Sequence, residues 1–247
     1  TVMKDAPQPV YTFSAKSDSA SLTARDIRLA PSGVRFCALE EGELVRVKTS
    51  LPGQFSVYNA LAAIACARLL GVSLADAAAA LETAHGAKGR VEPVPTDGDY
   101  SIFIDYAVTP DAIENVLTTL RGIAPKRLVM LFGAGGDRDR KKRPIMGKLS
   151  ADIADFVIVT SDNPRTEDPM SIIEEILPGV RAGKAPYKVI CDRPEAIRWA
   201  IDHHEPGDVI LLCGKGHEDY QIIGHEKIHM DEREIVADYL AERAKRT

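Results

Sequence analysis

From Tyr100 onward the sequence repeats one rhythm: a short apolar run, a polar or glycine-rich loop, then a helical pattern. Five apolar runs keep it, at 101–104, 128–132, 156–160, 187–191 and 209–213. Such runs are too evenly apolar for a sheet with one wet face. They read as strands buried on both sides, which requires helices on both faces and right-handed crossovers. The expected fold is α/β, with a doubly wound, Rossmann-like sheet over residues 94–247. Between the runs, Thr109 and Pro110 open a helix carrying Ile113, Val116, Leu117 and Leu120 on one face. The next helix, from about Pro144, is expected to turn Ile145, Met146, Leu149 and Ile153 inward. The two after it carry Ile172, Ile173, Ile176 and Leu177, then Ala196, Ile197, Ala200 and Ile201. A short polar hairpin is expected around 221–228. Asp231 with Glu234 then forms a capping box for a last helix through Ile235, Val236 and Leu240.

The first third is patterned differently. Residues 1–20 are polar and rich in Pro and Ser, a loop-like lead. Apolar and polar residues alternate over 24–30, 34–39 and 44–47, with turns at Pro31-Ser32-Gly33 and Glu41-Gly42. This is an antiparallel meander with one wet face. After 53–59 an alanine-rich helix over 60–70 is expected to bury Leu61, Ile64 and Leu69 and to stop at Gly71. Ser73 caps a second helix, 74–84. Gly86 and Gly89 suggest a flexible join, which places a domain boundary near residue 93. Residues 1–93 are expected to be the less stable part.

Net charge is −5, which argues against a nucleic acid held on a basic face. The four cysteines (Cys37, Cys66, Cys191, Cys213) lie far apart in apolar runs. They are expected to be buried thiols in a reducing, cytoplasmic setting rather than disulfides. No apolar run approaches the ~18 residues of a membrane span. The first Met is at position 3, so the chain is expected to begin partway through a larger protein.

In a doubly wound sheet, ligands lie outside the carboxyl ends of the strands. Four strand ends here carry chemistry. Asp162, Asn163, Pro164 and Arg165 combine an acid, an amide and a guanidinium, a set suited to a zwitterion. Gly133, Gly135 and Gly136 would let backbone N–H groups approach an anion. Arg138 stands where a G-x-G-x-x-G fingerprint needs glycine, and Asp137, Arg138 and Asp139 add acceptors and a donor. Lys141, Lys142 and Arg143 read as a solvated helix start. Gly214-Lys215-Gly216 is not a phosphate loop, because none of the Gly-Lys pairs has the required upstream glycine. His217 lacks a nucleophile partner and reads as a hydrogen-bonding histidine. His203 and His204 read as a solvated helix end, and the six histidines show no metal-ligand spacing. Asp105 is either a catalytic acid or the partner of the following helix N-terminus; both readings stay open.

Together, Gly53-Gln54-Phe55-Ser56-Val57-Tyr58-Asn59-Ala60-Leu61-Ala62-Ala63, Gly89-Arg90-Val91-Glu92, Asp105-Tyr106-Ala107-Val108-Thr109-Pro110, Gly135-Gly136-Asp137-Arg138-Asp139, Asp162-Asn163-Pro164-Arg165 and Gly214-Lys215-Gly216-His217-Glu218 resemble, in order, the later half of the Mur ligases. The resemblance covers essentially the whole chain. The Asp-Asn-Pro-Arg loop resembles the branch that adds meso-diaminopimelate rather than lysine. The resemblance implies that residues 1–93 are the last part of a central ATPase domain and 94–247 the amino-acid-binding C-terminal domain. It implies ATP-dependent, ADP-forming amide synthesis with Mg2+, joining meso-diaminopimelate to UDP-MurNAc-L-Ala-D-Glu in peptidoglycan synthesis. By resemblance, Arg138 and Arg165 bind carboxylate, Asp162, Asn163 and Glu218 read the distal amino-acid group, and Gly214 allows close approach; Pro164 shapes the loop. Asn59, Arg90 and Asp137 would contact nucleotide, and Arg90 and Glu92 lie at an interdomain hinge. Val108 stands where His is usual and Ser56 where Asn is usual. The family's UDP-binding domain, P-loop, magnesium ligands and carbamylated lysine have no counterpart here, so no metal ligand is assigned and the chain alone is not expected to catalyse ligation. The alternatives are a non-catalytic amino-acid- or nucleotide-binding paralogue, or a superfamily ligase for another amino acid, such as a folylpolyglutamate synthase.

Overall fold

Two hydrophobic patterns build two separate cores. The computed structural model describes residues 10–245, and the chain divides into the units Thr1–His85 and Gly86–Thr247. This division falls ahead of the join expected near residue 93. The loop-like lead expected over residues 1–20 lies in part outside the described residues.

In the first unit, β1 (Phe13–Ser14) runs parallel to β2 (Leu22–Ala30), and β3 (Gly33–Glu40) and β4 (Glu43–Thr49) complete the antiparallel meander. Leu22, Val34, Phe36 and Val47 form the dry face against Val57, Leu61 and Ile64 of α1 (Gln54–Leu69) and Leu74 of α2 (Leu74–Glu82). α1 starts at Gln54, just after Gly53 (φ 90°), well before the expected residue 60. Leu69, expected inside, is 68% exposed. The 3.6-residue period carries the buried stripe from Leu61 and Ile64 to Ala65 and then Arg68, whose Nε donates to the Glu40 carboxylate at 2.5 Å. Ser73 caps α2 by accepting the Asp76 N–H.

In the second unit, the six-stranded sheet has the order β5-β6-β10-β7-β8-β9. Its strands are β5 (Glu92–Val94), β6 (Ser101–Asp105), β7 (Leu128–Phe132), β8 (Phe156–Val159), β9 (Tyr187–Val189) and β10 (Val209–Cys213). All pairs are parallel except β5 with β6. Ile102, Ile104, Val129, Leu131, Ile158, Ile210 and Leu212 share a core with Ala196, Ile197 and Ile201 of α6 (Arg193–Asp202) and Val236 of α7 (Glu232–Ala244). α3 (Pro110–Arg121), α4 (Lys142–Ile153) and α5 (Pro169–Ala182) complete the helices, and β11 (Tyr220–Ile223) with β12 (Glu226–His229) is the expected hairpin. β10, the last parallel strand in sequence, inserts between β6 and β7. Cys213 is therefore in register with both Asp105 and Phe132, and Phe132 with Val159. Four strand ends thus stand in one row.

Several expectations change. Ile145 is 51% exposed, and Leu149 and Ile153 are only half-buried. The buried face of α4 is Arg143, Met146, Gly147, Ser150 and Ala151. α4 and α5 meet backbone to backbone: a Cβ on Gly147 would lie 2.5 Å from the Ile176 carbonyl oxygen, and one on Gly179 1.8 Å from that of Pro144. That approach turns the bulky α4 residues outward. Asp231 caps α7 by accepting the Arg233 N–H, but Glu234 bonds His229 instead of closing a capping box. The four cysteines are free, yet only Cys213 is buried and Cys66 is exposed.

The inner strands of the second sheet, β6, β7, β8 and β10, are covered on both faces, whereas the meander has one face in water. Amide hydrogen exchange should therefore be slowest in β7 and β10 and faster throughout β2–β4. Equal protection in the two sheets, measured by mass spectrometry, would contradict this.

Candidate functional site

The strand-end loops are packed onto one another before any ligand is considered. Gly136 N–H donates to the Asn163 carbonyl at 2.9 Å, and Asp137 N–H to Glu167 Oε1 at 2.6 Å. These N–H groups, expected to face an anion, are already used. The glycines serve loop packing: a Cβ on Gly133 would lie 2.3 Å from the Thr160 carbonyl oxygen, and one on Gly136 1.8 Å from that of Pro164. Asp137, at φ 53°, accepts from Thr166 Oγ1 at 2.8 Å. Arg143 is fully buried rather than solvated. Its guanidinium forks onto Glu167 at 2.8 and 2.9 Å, reaches Glu175 at 2.8 Å and donates to the Gly135 carbonyl at 3.2 Å. The Arg143 hydrogen bonds pull the Glu167 carboxyl down to about 2.

The Asp162–Arg165 loop is gripped from two sides. Asp162 Oδ1 accepts the Asn163 N–H at 2.6 Å, while Oδ2 is buried without a partner. That oxygen faces Gly214, whose φ is 115° and whose hypothetical Cβ would lie 2.6 Å from it. Glycine is required there on both counts. Asn163 donates from Nδ2 to Glu218 Oε2 at 2.9 Å and accepts at Oδ1 from Lys215 Nζ at 2.8 Å and the Ile222 N–H at 2.9 Å. Lys215 is fully buried, and Nζ also donates to Glu218 Oε2 at 2.8 Å. Burial pushes the Glu218 carboxyl up, but the hydrogen bonds from Lys215 and Asn163 prevail and hold it below the usual range. Arg165 has φ 53°, exchanges backbone bonds with Ile222 and Gly224 of the hairpin, and donates from Nη1 to the Gly136 carbonyl at 2.7 Å.

Beneath the loops, the buried Arg193 donates to the Ser161 carbonyl at 3.2 Å and the Cys213 carbonyl at 2.9 Å, tying β8 to β10. Its counter-charge is the equally buried Glu232, at 2.8 Å. Asp105, left open in sequence, anchors a loop. Its Oδ2 accepts the Val91 N–H at 2.8 Å, and burial raises its carboxyl above the ordinary value. His217, expected to hydrogen-bond, rests its ring 4.9 Å from that of Tyr106, and Arg90 lies 5.3 Å over the same ring from the other loop.

The structure therefore brings Asp162, Asn163, Pro164, Arg165, Gly214 and Glu218 into one cluster, with Asp137 and Arg138 on the adjoining loop. Arg138 is exposed, and among the described residues it bonds only the Asp137 carbonyl, at 3.3 Å. Arg90 belongs to the Asp105 loop, and Asn59 is exposed on α1 in the first unit. Lys215, Arg143, Arg193 and Gln221, which donates to the Asp162 carbonyl at 2.6 Å, were not singled out by sequence as parts of the site. The usable signals were a lysine three residues before Glu218, directly after an apolar strand, and arginines at the starts of otherwise apolar helices. Among the described residues no group of three or more His, Cys, Asp or Glu could hold a metal ion. Of the Gly133–Gly136 loop, the Gly136 N–H is committed to the Asn163 carbonyl. The described residues thus supply no ligand set for Mg2+ by themselves.

The model for "Mur ligase, glutamate ligase domain" matches residues 89–216, and that for "Mur ligase middle domain" matches residues 1–67. A UDP-N-acetylmuramoyl-L-alanyl-D-glutamate–2,6-diaminopimelate ligase of Caldanaerobacter subterraneus subsp. tengcongensis is 48% identical over 236 residues, covering 96% of this chain and 48% of that protein. A solved structure of a ligase of the same name is 34% identical with a TM-score of 0.79, over 98% of this chain and 50% of that one. A folylpolyglutamate synthase from Thermotoga maritima, at 21% identity and TM-score 0.64 over 85% of this chain and 47% of that one, shares the fold alone. The chain spans about half the length of the relatives it matches.

Two outcomes test the anchoring. Arg193→Met strands the Glu232 charge and should cost ~3–5 kcal/mol in urea unfolding, with much of it recovered in Arg193→Met/Glu232→Leu; a loss below ~1 kcal/mol would contradict a buried pair. Glu167 titrates well below its unfolded value, so its contribution is complete above that value and lost as pH falls toward 2. Urea midpoints should fall between pH 5 and pH 3 more steeply in wild type than in Glu167→Gln; parallel curves would contradict the assignment.

Proposed function

The chain belongs to the Mur ligase family, and from that premise we propose that it forms the amino-acid-binding portion of an ADP-forming ligase that adds meso-diaminopimelate to UDP-MurNAc-L-Ala-D-Glu. The observation that carries this reading is Asp162 Oδ2, a buried carboxylate oxygen without a partner. An ammonium group is the ligand such an oxygen lacks. Arg165, with Nη1 committed to Gly136, and the exposed Arg138 supply guanidinium nitrogens for carboxylate. One amino-acid end of meso-diaminopimelate offers both groups at once. Asn163 is nearly saturated by Lys215, Glu218 and Ile222, so it positions the loop rather than reading the ligand. Glu218 balances the Lys215 charge and keeps Oε1 for the ligand side, where Tyr220 Oη already donates at 3.3 Å. Gly214, with no side chain, lets the β10 end approach Asp162 Oδ2 closely.

The family uses ATP and Mg2+; Asn59, Arg90 and Asp137 are the nucleotide contacts proposed here, and no step is assigned to them. The chain spans about half the length of the relatives it matches, and ligation by this chain alone is not expected. The four free cysteines support work in a reducing cytoplasm. No described helix is long and apolar enough to cross a membrane. Val108, whose side chain offers no hydrogen bond, favours a second reading as a non-catalytic amino-acid-binding paralogue. Phosphate release in the presence of ATP, once the rest of a relative is fused, separates the two.

Lysine lacks the distal carboxylate and would leave Arg165 without its counter-charge. Calorimetry should show meso-diaminopimelate bound more tightly than lysine by about 2 kcal/mol or more. Arg165→Ala should remove that preference, and Asp162→Asn should weaken meso-diaminopimelate about tenfold or more. Equal affinity for the two amino acids on wild type would overturn the specificity reading.

A further inference from the structure

The wet face of the meander carries a feature that the family reading does not use. Strand β2 pairs regularly with β3 except between Arg25 and Arg28, where Arg25 opposes Cys37 and Arg28 opposes Arg35. Asp26 and Ile27 together face the single residue Phe36, which makes this a β-bulge, and Asp26 takes φ 49°. In a regular strand Arg25 and Arg28, three apart, would point to opposite faces. The bulge turns both onto the face of Arg35 and Cys37. A left-handed non-glycine residue is thus maintained to bring like charges together.

The charges form rows across the sheet. Arg28 opposes Arg35, and Arg35 opposes Lys48; Cys37 lies between Arg25 and Arg46 one step along. Like charges directly opposite destabilise a strand pair. Arg25 is neutralised by Asp18 at 2.6 Å, Arg28 loosely by Asp26 at 3.6 Å and Lys48 by Glu82 at 2.8 Å. Arg35 and Arg46 have no ion-pair partner among the described residues. Asp26, Arg28, Arg35, Arg46, Lys48 and Glu82 border a groove of about 480 Å3.

We propose that this groove is a binding site for a phosphate chain, a di- or triphosphate carried free or on a nucleotide. Guanidinium groups match phosphate bidentately. Three neighbouring strands spread the cations over ~10 Å, which suits linked phosphates better than a lone carboxylate. The net charge of −5 weighs against a nucleic acid as the occupant. The proposal does not rest on the amino-acid site of the second unit.

The test is a 1H–15N NMR titration of the full 247-residue chain with inorganic tripolyphosphate, with ATP and UDP as parallel arms. Saturable shifts should centre on residues 25–28, 35–37 and 46–48. Arg35→Gln and Arg46→Gln should each weaken tripolyphosphate binding about tenfold, while Arg198→Gln on α6 leaves it unchanged. Without the anion, Arg35→Gln should hold or raise the thermal midpoint, because it removes like-charge repulsion; tripolyphosphate should raise the midpoint of wild type and Arg198→Gln more than that of Arg35→Gln. A similar response to all three probes makes the phosphate chain itself the recognised group, and a preference for ATP or UDP adds the nucleoside to it. Absence of saturation, shifts centred elsewhere, or unaltered binding in both arginine variants would overturn the proposal.

Discussion

One buried ammonium holds the strand-end loops of the second unit together. Lys215 Nζ lies between Asn163 Oδ1 and Glu218 Oε2, each at 2.8 Å, with no exposure to solvent. An unpaired charge at this depth would be prohibitive, so the three groups fold as a set or not at all. Through Asn163 the set reaches the Asp162–Arg165 loop and, by the Ile222 N–H, the hairpin. Through the Lys215 backbone it reaches the end of β10. Arg193 and Glu232 repeat the device one layer below, joining β8 to β10 by their carbonyls. Such pairs contribute little net stability compared with apolar packing, and what they supply is geometry. Here that geometry leaves two carboxylate oxygens buried without a partner, Glu232 Oε2 in the lower pair and Asp162 Oδ2 at the strand-end loops.

The α/β framework was legible in the sequence because its signals are local. Five apolar runs became the five parallel strands, and Thr109 and Ser73 cap their helices as their residue types require. The residues proposed to hold a zwitterion could be picked out too, because they stand at strand ends, where ligands of such sheets lie. What could not be read was set by neighbours distant in sequence. The inward face of α4 depends on how closely Gly147 and Gly179 let two helices approach, and periodicity alone favoured Ile145. Glu234 could have closed a capping box, but His229 of the hairpin claimed it.

The glycine-rich loops show the same limit from another side. Gly133 and Gly136 suggested an anion cradle, yet their missing side chains make room for the backbone of 160–164. A glycine reports that something approaches closely and not what it is. Lys215 was passed over because its flanking glycines were weighed only as a phosphate loop. Arg143 was read as solvated because two lysines precede it, whereas Glu167 and Glu175, more than twenty residues away, draw it into the core. Charges buried by distant partners are the part of a site that sequence hides best.

On the proposed reading, the Lys215–Asn163–Glu218 set preforms an amino-acid site whose unpartnered acceptor is Asp162 Oδ2. A crystal structure of the chain with meso-diaminopimelate tests it most directly. The account predicts an ammonium nitrogen within hydrogen-bond distance of Asp162 Oδ2, a carboxylate on Arg165 or Arg138, and the Lys215 bonds to Asn163 and Glu218 unchanged. A ligand bound away from Asp162, or one that displaces Lys215 from Glu218, would contradict it.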